Sequence, residues 1–243
     1  MIAASPLESA RFSIKAAKFH TDSSETAKLD VLEFLRQGYD FGSCRVSTGN
    51  VHLLQYLLKQ GFFLTDTLVY YKKNVRKQEE VVPQLAVSCL GDEKLIANVV
   101  NLAKASFQDY PSHYSMDMRL NQERVAEVYP DWTARCCVDK NVASDVLAIV
   151  EDSVPTSFIV LKKHANFADV LLAAVHPANQ GRGLLQNLLK SSIRWAIDAG
   201  LEEVHYSTQI QNIAAQKALI RQGFEMSHSF YTLHCWRDEL RVQ

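Results

Sequence analysis

The chain has 243 residues, 47% of them apolar, and a formal net charge of −1 with both signs spread along its length. This supports a real core in one large domain or two small ones. It excludes a non-specific polyanion binder, which needs concentrated lysine and arginine to displace counterions. No apolar run reaches the roughly 18 residues of a membrane span. The opening MIAASPLESARFSIK lacks the basic-then-apolar order of a secretory leader. The expectation is a soluble cytoplasmic protein with neither membrane nor nucleic acid as partner. Its five cysteines, Cys44, Cys89, Cys136, Cys137 and Cys235, are odd in number and lack metal-site spacing. Free thiols and no metal are expected.

RFSIKAAKF (Arg11–Phe19) has the pattern of a strand. Ser23–Gly38 is a helix, with Asp22 and Glu25 resembling a capping box and Gly38 a stop. GSCRVS is a short strand, Asn50–Gly61 a glycine-terminated helix, and FFLTDTLVYYKK an alternating strand. KKNVRKQEEVV is charged and aperiodic. A linker is expected at 76–83, dividing the chain into domains 1–75 and 84–243. The second domain opens with a strand, QLAVSCL. Asp92–Phe107 is a helix with apolar residues at 95, 96, 99, 100 and 102. An aromatic loop, QDYPSHYSMDMRL, leads to a helical stretch that Pro130 is expected to break. DVLAIVED, TSFIVLKK and FADVLLAAV are three strands at turn-length spacing, hence antiparallel neighbours. A helix to Gly200, the strand EVHYSTQI, the helix NIAAQKALIRQG and the strand FEMSHSFYTLHCW complete the chain.

NVHLLQYLLKQGF (Asn50–Phe62) aligns without a gap on NIAAQKALIRQGF (Asn212–Phe224), and a strand follows each at the same spacing. Two explanations stand: a common Asn-started, Gly-stopped helix, or a first domain that is a truncated copy of the end of the second.

The stretch VLLAAVHPANQGRGLLQNLL (Val170–Leu189) carries the chemistry. A strand ends at a proline, and a loop with Gly181, Arg182 and Gly183 feeds straight into a helix. A helix start leaves amides unpartnered and adds partial positive charge, so it attracts anions. Glycine allows positive φ and close backbone approach. A pyrophosphate is the natural occupant. A dinucleotide fingerprint would need Gly-x-Gly-x-x-Gly early in a βαβ unit, and a P-loop would need Gly-Lys-Ser/Thr; neither is present.

These residues resemble the acetyl-coenzyme A motif of the GNAT N-acyltransferase superfamily. Val175, Pro177, Gln180 and Gly183 match it, and Leu185 departs at its last small position. The Leu185 side chain is expected to turn into the core beside Leu188 and Leu189. QNIAAQKALIRQGF matches a second motif, except that Leu219 stands where the family has a tyrosine. The likeness spans about 84–243. With the first domain, it is similar to the two-domain branch that includes dTDP-fucosamine acetyltransferase.

The resemblance implies an α/β (α+β) fold: a mixed, mostly antiparallel sheet flanked by helices, after a truncated GNAT-like domain. It implies acetyl-CoA as co-substrate, without metal. Acetyl would pass to a primary amine of a small molecule, an amino-sugar nucleotide being one named case. A protein or peptide amine, or a coenzyme-binding module with weak catalysis, are the alternatives. Coenzyme would be held by Ala173, Ala174, Val175, Gln180, Gly181, Arg182, Gly183, Leu184, Leu185 and Asn212, the last being alternatively a plain helix cap. Asp169 is the candidate base, with His176 and His205 behind it, and Tyr206 or Tyr231 the candidate acid in place of Leu219. Tyr114, Arg119 and Trp132, near Tyr110, fall in the segment expected over the acceptor. Exposed strand edges leave room for a homodimer that no residue pattern demands.

Overall fold

The computed structural model describes residues 1–75 and 86–241. In chain order the elements are β1 (Ile2–Ala4), α1 (Pro6–Phe12), β2 (Ala16–Phe19), α2 (Ser24–Gln37), β3 (Phe41–Ser47), α3 (Val51–Lys59), β4 (Phe63–Asn74), β5 (Val87–Ser88), α4 (Glu93–Phe107), α5 (Gln122–Ala126), α6 (Val128–Val138), β6 (Asp145–Glu151), β7 (Val154–Lys163), β8 (Phe167–Val175), α7 (Leu184–Asp198), β9 (Glu203–Gln209), α8 (Ile213–Arg221) and β10 (Glu225–Trp236). They form two compact units that interleave along the chain. The first holds Met1–Val69, Pro111–Val125 and His228 onward; the second holds Tyr70–Tyr110 and Ala126–Ser227. The linker expected at 76–83 lies outside the described residues.

In the first unit β2 pairs antiparallel with β1 and parallel with β3, and β3 pairs antiparallel with β10. Residues opposite in register share a face. One face carries Ala17, Phe19, Cys44, Val46, Leu233 and Cys235, which pack with Ala27, Val31 and Phe34 of α2 and Leu53 and Leu57 of α3. The other face mixes polar and apolar rows: Ala16, Phe41 and Trp236 in one, Lys18, Ser43 and His234 in the next, then Arg45 and Thr232.

In the second unit the order runs β9-β8-β7-β6-β5, antiparallel except for the parallel β8–β9 pair. The sheet is thus mixed and mostly antiparallel, as expected. Val146, Ala148, Phe158, Val160, Leu172 and Ala174 form its core with Val99, Leu102 and Phe107 of α4 and Cys136 and Cys137 of α6. On α7, Leu184, Leu188, Leu189, Ile193 and Ala196 are buried. All five cysteines are free and buried, so apolar packing accounts for them.

Several local expectations are corrected. The strand expected over Arg11–Phe19 begins only at Ala16, because Ser5-Pro6 starts a helix, proline being suited to a first turn. The capping box of α2 is Ser23 with Thr26, not Asp22 with Glu25. Pro130 does not break a helix. It sits in the first turn of α6, where its missing N–H has no intrahelical partner to lose, and the break falls at Glu127.

The sequence repeat is a structural repeat. Asn50 and Asn212 each accept a hydrogen bond from the backbone three residues on, at Leu53 and Ala215. Each helix ends at a glutamine, Gln60 or Gln222, and then a positive-φ glycine, Gly61 or Gly223, before β4 or β10.

Among the described residues no helix is long and apolar enough to cross a membrane.

Candidate functional site

The site begins with a fault in the sheet. Between β7 and β8 the register shifts: Val160 opposes Leu172 while Leu161 opposes Val170, leaving Leu171 as the extra residue of a bulge. Bulges increase local twist and often sit beside active sites. At the same level β8 parts from β9. Their parallel ladder joins Phe167–Val170 to Glu203–Tyr206 and goes no further, so Leu171–Val175 and Ser207–Gln209 become the two arms of a fork.

The end of α4 braces both arms. Ser106 Oγ donates to the carbonyl of Val175 on β8 at 3.3 Å. The Tyr110 hydroxyl donates to Gln209 Oε1 on β9. Tyr110 is itself set edge-on against Phe107 and Tyr129. No spacing in the sequence announces this bracing, because its partners are far apart along the chain.

Beyond β8 comes a short 3-10 turn, Pro177–Asn179, capped by His176 Nδ1, which accepts from the Ala178 amide at 3.2 Å. The loop then reaches α7 through Gly181 (φ 78°) and Gly183 (φ 75°). A Cβ at either glycine would meet nothing within 4 Å, so backbone conformation, not room, demands glycine there. Gly183 is the N-cap of α7 and no side chain caps that end. The first backbone bond of the helix is Asn187 N–H to the Gly183 carbonyl at 3.2 Å. The amides of Leu184, Leu185 and Gln186 therefore have no helical acceptor.

Arg182, expected to add positive charge, is instead held by Glu151 at the end of β6, with bonds of 3.0 and 2.9 Å. The pair is locally neutral, and the attraction for an anion comes from the amides. Gln180, Gly181, Arg182 and Gly183 are all exposed.

Leu185 corrects another expectation. At about 100° per residue it falls in the middle of the stripe that Leu184, Leu188, Ser192 and Ala196 bury, yet it is only half-buried.

Asn212 caps α8: its Oδ1 accepts from Ala215 N at 3.2 Å and its Nδ2 donates to Thr208 Oγ1 at 3.1 Å. The plain cap is thus built in full. Leu219 is 0% exposed, a core side chain of α8.

Asp169 is half-buried on β8, with Lys162 and His205 as its register neighbours. Burial raises its pKa, opposed by the nearby charges of His164 and His205. Tyr206, opposite Val170 at the crotch of the fork, is 7% exposed. Burial, with Tyr110 beside it, holds its phenol well above the ordinary value. The ring of Phe167 is stacked between His164 and His205, and His205 Nε2 meets Glu203 Oε2 at 2.7 Å.

The other candidates are held as follows. Trp132 packs on the α4–α6 core beside Tyr129. Tyr231, Tyr114 and Arg119 belong to the first unit. There the Tyr114 hydroxyl donates to Glu8 at 2.8 Å. Arg119 makes two bonds to Asp238, at 2.9 and 3.0 Å, and one to Glu239 at 2.9 Å, over the face of Trp236. Its guanidinium is occupied by the protein's own carboxylates.

The comparisons agree with this geometry. The profile described as "Acetyltransferase (GNAT) family" matches residues 99–224. No curated protein matches the sequence. Among solved structures, the GCN5-related N-acetyltransferase from Sphaerobacter thermophilus is 13% identical, with a TM-score of 0.59 over 81% of this chain and 60% of that one. A functionally unknown conserved protein from Staphylococcus epidermidis is 13% identical, with a TM-score of 0.64 over 98% and 89%. A tandem GNAT protein from the clavulanic acid biosynthesis pathway is 11% identical, with a TM-score of 0.55 over 91% and 75%. The chain spans 60% of the Sphaerobacter protein's length, and at these identities the likeness is one of fold. With the family profile covering more than half of its length and the fork, bulge and uncapped glycine loop in place, the chain belongs to the GNAT acetyltransferase family.

Proposed function

We propose that the second unit binds acetyl-coenzyme A in the fork between β8 and β9, and that the protein transfers the acetyl group to the primary amine of a small molecule. One observation carries this reading: the first turn of α7, free of any side-chain cap, follows across one short loop from a strand that has parted from its neighbour. The amides of Leu184, Leu185 and Gln186 suit a diphosphate. The freed edge of β8 at Ala173, Ala174 and Val175 suits an extended amide-bearing arm, as an added strand would.

The thioester supplies an activated acyl group. The chain's residues assist the proton transfers. Asp169, its basicity raised by burial, takes the proton that the acceptor ammonium must lose before it attacks. Tyr206, whose buried phenol keeps its proton, donates a hydrogen bond to the departing thiolate, which then takes its proton from solvent. Arg119 is saturated by Asp238 and Glu239 and adds no support for a phosphate-bearing acceptor such as an amino-sugar nucleotide, so the substrate class stays a small primary amine. The repeated helix–strand motif, and the likeness to a protein described as a tandem GNAT, support the first unit as a truncated duplicate, as in the two-domain branch. A second reading, a coenzyme-binding module with weak catalysis, is favoured by Leu219, which has no proton to give.

Acetyl-CoA at a hundred times its dissociation constant should stabilise the fold by about 2.7 kcal/mol, read as a rise in melting temperature. No rise overturns the coenzyme reading. Thiol release across a panel of amines then separates enzyme from module.

Leu219→Tyr offers a second check. The leucine is 0% exposed in a packed helix, so an inserted ring should lower stability by about 1–3 kcal/mol in thermal denaturation. If the variant is as stable as the parent, the packing described for α8 is wrong.

A further inference from the structure

We propose that the first unit holds a binding site of its own for a small zwitterion of amino-acid type, formed by Glu8, Lys18, His113 and Thr232 and positioned by Asp117 and His234. The polar rows of its sheet motivate this. His234 is 0% exposed, Thr232 2% and Ser43 8%, and buried polar groups need partners.

Asp117 gathers three donors: His234 Nδ1 at 2.9 Å, Trp236 Nε1 at 3.1 Å and the Arg119 amide at 3.1 Å. With its Nδ1–H on Asp117, His234 presents Nε2 as an acceptor, and His113 Nδ1 lies 2.9 Å from it. Burial, with the positive charges of Arg45 and Lys18 nearby, keeps His113 neutral, its pKa well below the ordinary value. The chain of donors therefore leaves His113 Nε2 as a lone-pair acceptor.

Glu8 lies on the other side of Tyr114. The Tyr114 hydroxyl donates to Glu8 Oε1, and its ring lies 3.8 Å from that of His113. Glu8 is 2% exposed, and its Oε2 has no partner; neither has Thr232 Oγ1. Two acceptors without donors, a carboxylate oxygen and an imidazole nitrogen, flank one ring. An ammonium group, with three N–H donors, answers both.

Lys18 supplies the other half. Its Nζ forms an ion pair with Glu8 Oε1 at 3.8 Å, longer than a hydrogen bond, and its side chain is 50% exposed. Its exposed ammonium can reach an anion beside the carboxylate while keeping that ion pair. An amino acid presents the complementary pair, ammonium and carboxylate, on one compact frame. A metal ion does not fit instead: among the described residues no three His, Cys, Asp or Glu side chains are grouped to hold one.

The test is calorimetric titration of the full chain, without coenzyme, by glycine, β-alanine, ethylamine and propionate. Since no coenzyme enters, its result is independent of the acetyl-transfer reading. Glycine or β-alanine should bind, with ethylamine and propionate at least tenfold weaker. Glu8→Gln should weaken the zwitterion at least tenfold. Should that buried variant fail to fold, Lys18→Met, at an exposed position, should weaken the zwitterion while leaving ethylamine unchanged. No heat from either zwitterion, zwitterion binding no tighter than that of ethylamine or propionate, or binding that a folded Glu8→Gln or Lys18→Met variant leaves intact, overturns the proposal.

Discussion

Gly183→Asp is expected to weaken acetyl-CoA binding at least a hundredfold, about 2.7 kcal/mol, while leaving the fold largely in place. At φ 75° an L-residue incurs about 1–2 kcal/mol of strain. An aspartate at an N-cap recovers about 0.5–2 kcal/mol by accepting from the first-turn amides. The two nearly cancel, so the melting temperature should move by only a few degrees. Binding loses twice: the amides are taken by the new carboxylate, and its charge occupies the seat of the diphosphate. Gly183→Ala is the control. It carries the strain without the charge, nothing lies within 4 Å of its Cβ, and it should cost less than tenfold in affinity. Titration of both variants decides the matter. An aspartate variant that binds like the parent would mean that no anion sits at the head of α7.

The largest loss of stability is expected at Asp117. Asp117→Ala strips the acceptor from His234, 0% exposed, and from Trp236, 7% exposed. Leaving two buried donors without an acceptor costs about 1–3 kcal/mol each, a large share of the roughly 5–15 kcal/mol that holds a domain folded. Urea denaturation should show it as a lower midpoint. Asp117→Asn, which keeps one acceptor oxygen, should lose less. The same cluster sets a pH dependence. Because the folded His113 has a lowered pKa, the unfolded chain binds a proton below its ordinary value of 6.5 that the folded chain refuses. The His113 contribution is therefore complete above about pH 6.5 and declines as pH falls through it, by at most about 1.4 kcal/mol per unit. His113→Gln should flatten that decline relative to the parent. Equal slopes in the two proteins would show that His113 does not titrate as described.

Elements with strong local signals were legible in the sequence. The three antiparallel strands, the glycine-stopped α2 and the twin Asn-capped helices α3 and α8 all follow from alternation and capping chemistry that act over a few residues. Where two local signals competed, the helix start prevailed: Ser5-Pro6 opened a helix that runs to Phe12, into the stretch read as a strand. The candidate site divides the same way. Gly181 and Gly183 were readable because a left-handed backbone leaves its mark in residue type. The engagement of Arg182 by Glu151, of Arg119 by Asp238, and of Tyr110 by Gln209 was not.

By itself, then, the sequence determined the order of the elements, the glycine loop at the head of α7 and the absence of a tyrosine at position 219, because periodicity, caps and positive φ are properties of short segments. Only the tertiary structure decided that β8 leaves β9 at Tyr206, that Leu185 stays only half-buried, and that Glu8, His113 and Asp117 gather in the first unit. Those outcomes depend on which distant side chains meet, and register, bulges and burial fix that only once the strands have paired.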